Sequence, residues 1–164
     1  VELYNCGIDL KSDFRRLLRK WGADRETAPE LRDRVREYFS RFPEKSPDPW
    51  EPIELLVQDP SFMRLYWPRR EEFSRYLEAA NRSAPLDFES FRSVVSGYLR
   101  DSESIPTSLQ WKGSAKLVLG LDDPLTDAEE LASTWRRLLP QVQVETWPDS
   151  GHFSHLEKSF RDRK

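Results

Sequence analysis

The chain has 164 residues, a net charge of −3, a pI near 5.6 and a mean hydropathy of −0.76. The two charge signs are mixed with no basic excess, which argues against a nucleic-acid partner. No apolar run approaches the roughly 20 residues of a membrane span, and the single cysteine, Cys6, excludes an internal disulfide framework and suits a reducing compartment. With no signal peptide visible, a cytoplasmic location is expected.

In chain order, Val1–Cys6 (VELYNC) reads as a short strand that Gly7 breaks. Residues 9 to about 101 read as helical. Ser12 or Asp13 is placed to cap a segment with Phe14, Leu17, Leu18 and Trp21 at helical spacing, and Gly22 to end it. Thr27-Ala28-Pro29-Glu30 joins a capping-box pattern to an early Pro, ahead of a stripe of Leu31, Val35, Tyr38, Phe39 and Phe42. A Pro-rich loop runs from Phe42-Pro43 to Asp48-Pro49. Short helices are expected over 50–58 and 61–67, with Asp59-Pro60 a turn between them, and a longer one over 69–82. Asp87 would cap a further helix with Phe88, Phe91, Val94, Val95, Tyr98 and Leu99 inward. Ser102–Gly113 reads as a loop, with Ile105, Pro106 and Trp111 packing under it.

The last fifty residues carry the densest signal. Lys116–Leu119 is an apolar run, and Gly120–Pro124 an acidic turn. Asp127–Leu139 has Leu131, Trp135, Leu138 and Leu139 on one helical face, and Val142–Trp147 alternates. A loop with Gly151-His152 follows, and His155–Arg163 reads as a closing helix with Leu156 and Phe160 inward. By period this is strand, acidic turn, helix, strand, His loop, one βαβ unit. The acid and the His both fall just beyond a strand's C-terminal end, where ligands and catalytic side chains gather in open parallel sheets.

This stretch resembles the C-terminal part of the α/β-hydrolase family. There a strand runs into G-x-x-D-P, whose Asp is the acid of a Ser-His-Asp triad, and about thirty residues later a G-H-F-x-x-x-E pattern supplies the His. Gly120-Leu121-Asp122-Asp123-Pro124 puts Asp123 in the acid position, with Asp122 its rival. Gly151-His152-Phe153, with Glu157 after it, puts His152 in the base position. The chemistry suits the residue types: imidazole accepts a hydroxyl proton near neutral pH, and a carboxylate on its other nitrogen fixes the tautomer and stabilises the imidazolium. The resemblance implies an α/β fold: the C-terminal part of an α/β-hydrolase sheet carrying an inserted all-helical cap. Residues 1–8 would be a core-sheet strand, 9–101 the cap and 102–164 the rest of the core.

Most cap aromatics read as plain core. The exceptions are expected around residues 50–67, where helices are short and Pro-interrupted: Trp50, Phe62, Tyr66 and Trp67 are candidates to line a pocket for a small apolar acyl or ring-bearing substrate. Asp-Pro alone is also a common turn. Arg15, Arg16, Arg19, Lys20, Arg32, Arg34 and Arg36 read as solvated helix faces; Arg69 and Arg70 have a somewhat better claim to an acidic substrate group. His152-x-x-His155 has no supporting metal-ligand pattern, and neither metal nor cofactor is expected. Cys6 has no motif around it and reads as an inert thiol.

No Gly-x-Ser-x-Gly occurs, and Ser96-Gly97 and Ser150-Gly151 lack the elements a nucleophile elbow needs. No oxyanion stretch is present either. Two or three strands also leave unpaired sheet edges. The chain therefore reads as a processed, truncated or split portion, completed by an N-terminal hydrolase portion carrying the nucleophile and oxyanion hole. The reaction implied is hydrolysis of an ester, thioester or related acyl bond; the alternative is a non-catalytic ligand-binding or interaction protein on the same scaffold.

Overall fold

The computed structural model describes residues 1–7, 9–44, 48, 50–57, 59–80, 93, 97 and 109–162. Ser93 and Gly97 are helical, and the rest of the helix expected over 88–99 and the Ile105-Pro106 packing lie outside the described residues.

A parallel sheet of three strands, in order β1-β2-β3, forms from Glu2–Tyr4 (β1), Lys116–Gly120 (β2) and Gln143–Trp147 (β3). Leu3 pairs with Leu117 and Leu117 with Val144, so the apolar positions of all three strands share one face. That face is covered by Ala128–Leu138, where Leu131, Ala132 and Trp135 pack with Leu3, Leu117, Leu119 and Val144. Asp127 caps this helix by accepting from the Glu129 and Glu130 backbone N–H groups. The Trp135 indole N–H donates to the Cys6 carbonyl at 2.9 Å, fixing the helix to the exit of β1. On the other face lies Ser154–Asp162, with Tyr4, Trp147 and His155 in ring contact there.

Between β1 and β2 the chain makes the helices Leu10–Ala23 (α1), Pro29–Arg41 (α2) and Glu51–Val57 (α3), a 3₁₀ helix Pro60–Tyr66, and Arg70–Ala80 (α4). The sheet-covering helix is α5 and the C-terminal one α6. The cap of α1 is Asp9, in extended backbone, accepting from Lys11 and Ser12 N–H; Ser12 adds its hydroxyl to Asp9, and Asp13 lies inside the first turn. Both residues expected as caps are thus displaced by an earlier acid in the run Asp9–Asp13. At α2 the capping box does not form: Ala28 is the N-cap, and Thr27 donates its hydroxyl to the Trp21 carbonyl at 2.7 Å. Pro29 still starts that helix, since its missing N–H was without an intrahelical partner anyway. The turn expected at Asp59-Pro60 is a capped helix start, with Asp59 accepting from Ser61 N–H.

The helices close around Leu17, Leu18, Trp21, Val35, Tyr38, Leu56 and Trp67, all buried. Trp21 is wholly buried; burying about 200 Å² of aromatic surface contributes about 5 kcal/mol. Gly22 lets α1 and α2 meet, because a Cβ there would stand 2.4 Å from Val35 Cγ1. Arg15, expected on a solvated face, reaches across instead: its guanidinium donates to Tyr38 Oη at 2.6 Å and to the Phe42 carbonyl at 2.8 Å. Arg64 joins the 3₁₀ helix to the α1–α2 turn through Asp24 at 2.7 Å and Glu26 at 3.3 Å. This helical cluster also takes in Leu125, Phe153 and Leu156, and so rests on the loops at the C-terminal ends of β2 and β3.

Candidate functional site: the acid and histidine loops

β2 ends at Gly120 and turns through Asp122 and Asp123. Of the two acids, Asp122 is exposed and Asp123 is buried. Asp123 Oδ1 accepts from Leu125 N–H at 2.8 Å, an Asx turn that shapes the loop. Its Oδ2 lies 3.0 Å from His152 Nδ1. The Asp123 side chain is 0% exposed and that of His152 24%, so the acid is sealed and the imidazole reaches solvent. His152 Nε2 has no hydrogen-bond partner among the described residues. Lys20 Nζ donates to the Asp123 carbonyl at 3.0 Å, tying α1 to the same loop.

Buried polar groups build the His loop from several sides. Glu157, fully buried, accepts the Ser150 hydroxyl at 2.7 Å and the Gly151 N–H at 3.0 and 3.1 Å. The His152 N–H donates to the Tyr66 carbonyl at 3.0 Å, so the 3₁₀ helix docks on the loop through backbone. Gly151 permits this approach. Ser150 and Ser154 are buried and engaged, Ser154 Oγ donating to the Gly151 carbonyl at 3.0 Å. Neither hydroxyl is presented as a nucleophile. The Cys6 thiol is half-buried, and burial pushes its pKa up, which disfavours the thiolate.

Of the four aromatic side chains expected to line a pocket, Tyr66 alone touches the His152 ring, at 5.2 Å between centroids. Burial, and behind it the Asp123 charge, raise the Tyr66 phenol pKa, so it stays a donor. Phe62 stands 6.0 Å from Tyr66 and Trp67 5.2 Å from Phe153, in the ring behind the site. Trp50 packs elsewhere, with Leu10, Phe14 and Ile53. Arg70 is an exposed partner of Glu26.

Two site residues are not visible in the sequence pattern. Asn5 is buried at the end of β1 and bonds to both loops. An Asn closing a strand-like run, a residue type depleted in strands and tolerant of positive φ, was the only signal. Asp13 is the other. A Cβ on Gly7 would meet its Oδ2 at 2.1 Å. Burial first, then Asp9 and Asp123, raise its pKa from 3.8 to about 7, against Arg16 and His152, which lower it. Because the folded state holds this proton more tightly than the unfolded chain, stability falls as pH rises from about 4 through 7. Asp13→Asn is expected to remove that component of the slope and to gain stability over wild type at pH 8 relative to pH 4; urea unfolding at the two pH values checks it.

No group of three or more His, Cys, Asp or Glu able to hold a metal ion occurs among the described residues. No helix among them is long and apolar enough to cross a membrane. No protein-family model, curated protein or solved structure matches the chain.

Proposed function

We propose that this chain supplies the acid, the base and a helical cap of a serine-hydrolase-type α/β-hydrolase acting on an ester, thioester or related acyl bond. The observation that carries the reading is the 3.0 Å contact between the sealed Asp123 carboxylate and Nδ1 of the solvent-reaching His152. A carboxylate on Nδ1 keeps the proton there and leaves Nε2 as the base. Nε2 then takes the hydroxyl proton as the nucleophile attacks the acyl carbon, and returns it to the leaving group. Asp123 and His152 sit at the C-terminal ends of adjacent parallel strands, the edge where such sheets gather catalytic groups.

In this reading the helices between β1 and β2 are the cap. Tyr66 and, behind it, Phe62 and Trp67 give the substrate an apolar, aromatic wall; Trp50 supports the cap from farther away. The sequence has no Gly-x-Ser-x-Gly, so in this reading the nucleophile and oxyanion donors come from an N-terminal hydrolase portion, which adds its strands to the sheet. A binding scaffold has no physical need for a sealed acid on a partly exposed imidazole, which sets the enzyme reading ahead.

The test is a fluorophosphonate probe applied to the chain with whatever polypeptide co-purifies, followed by mass spectrometry. Labelling of a serine on the companion, slowed in complexes carrying His152→Ala, is expected. A companion-free chain, or labelling indifferent to His152, contradicts the reading.

A further inference from the structure

We propose that Asn5 is a positioning residue for the His152 imidazole: its side-chain amide clamps the loop carrying the base to the strand end that carries the acid. Asn5 is 2% exposed and stands at φ 44°, a left-handed conformation that Asn and Asp adopt more readily than other side chains. Its Nδ2 lies 2.8 Å from the Gly151 carbonyl, 2.7 Å from the His152 carbonyl and 2.5 Å from Ser154 Oγ. Its Oδ1 accepts the Gly120 N–H at 2.7 Å. Chemistry fixes which end is which, because an N–H must meet oxygen and two carbonyls must meet nitrogen.

The Asn5 backbone continues the clamp, donating its N–H to the Val118 carbonyl at 2.9 Å. One residue thereby touches β2, the residue opening the acid turn and the backbone of His152 itself. Glu157 also holds Gly151, from within the His loop and the helix that follows it. In a buried site each of these bonds is exchanged for an unsatisfied group if the amide is lost, so the loop moves instead. A small movement of the His152 backbone opens the 3.0 Å contact at Nδ1.

This inference deepens the hydrolase reading and takes its chemical meaning from it, but its test needs no substrate. The chain has two histidines, so ¹⁵N-histidine labelling reports His152 and His155 alone. The readout is solvent exchange of the His152 Nδ1 proton at pH 7. Asn5→Asp keeps size and the positive φ but turns the donor into an acceptor facing two carbonyls; it is expected to speed exchange at least about tenfold. Asn5→Gly, which keeps the φ and removes the amide, is expected to do the same and serves if Asn5→Asp does not fold. Leu17→Ala, which loosens the helical core away from the loop, is expected to leave His152 exchange as in wild type. Wild-type exchange in both Asn5 variants, or equal acceleration by Leu17→Ala, overturns the proposal. So does a wild-type ring proton that already exchanges freely, since there would be no held ring to position. Lack of ester turnover would sink the hydrolase reading and leave this result standing.

Discussion

If the chain acts in the proposed hydrolase, Asp123→Asn is expected to lower ester turnover about 10⁴-fold while leaving the fold intact. The asparagine oxygen can still accept the Leu125 N–H that Asp123 Oδ1 accepts at 2.8 Å, so the acid turn keeps its shape. The damage falls on the other side. An amide N–H turned toward His152 donates to Nδ1, and the ring must then carry its proton on Nε2. An imidazole in that tautomer cannot accept the nucleophile's proton. Activity is therefore lost through proton placement rather than through collapse, and thermal unfolding run beside the kinetics separates the two. A loss under tenfold would mean that the pair does not work as acid and base.

Gly151→Ala is expected to cost about 3 kcal/mol, because it drives a methyl group into backbone. The added Cβ would stand 2.2 Å from the Tyr66 carbonyl oxygen and 3.0 Å from Pro68 Cδ, neither of which can rotate away. The 3₁₀ helix and the His loop must separate, and the His152 N–H then loses its 3.0 Å bond to Tyr66. For a chain of this size the midpoint of thermal unfolding should fall by roughly 6–12 °C. Gly97→Ala is the control: no atom of the described residues lies within 4 Å of a Cβ there, and no loss of stability beyond about 0.5 kcal/mol is expected. Equal behaviour of the two variants would show that the helical layer does not rest on the His loop as described.

The strand-helix-strand unit from 116 to 147 was legible because its signals are local. Alternation in Val142 and Val144 and the stripe of Leu131, Trp135 and Leu138 each arise from neighbours in sequence. The pairing of Asp123 with His152 was legible for the same reason, each following its strand in a recognisable turn. Cys6, two residues beyond β1, is only partly buried rather than buried, though burial still disfavours its thiolate. What could not be read depends on contacts far apart in the chain. Asn5 meets Gly120 and His152, 115 and 147 residues away. Arg15 looks like any solvated cation until α2 places Tyr38 Oη beside it. Trp50 and Tyr66 belong to the same aromatic, Pro-broken stretch, yet only tertiary packing sends one to Ile53 and the other to His152. Even the α1 cap went unrecognised, because Asp9, Ser12 and Asp13 all suit the role and only the backbone turn at Asp9 decides among them.

The central claim is that one of two imidazoles serves as the base for acyl transfer. The most direct measurement is p-nitrophenyl ester turnover by the chain together with any polypeptide that co-purifies, comparing His152→Ala with His155→Ala. His155 lies three positions on, against Tyr4, on the sheet face away from the covering helix α5. Turnover should fall at least about 10⁴-fold with His152→Ala and stay near wild type with His155→Ala. Wild-type turnover in His152→Ala would contradict the assignment outright.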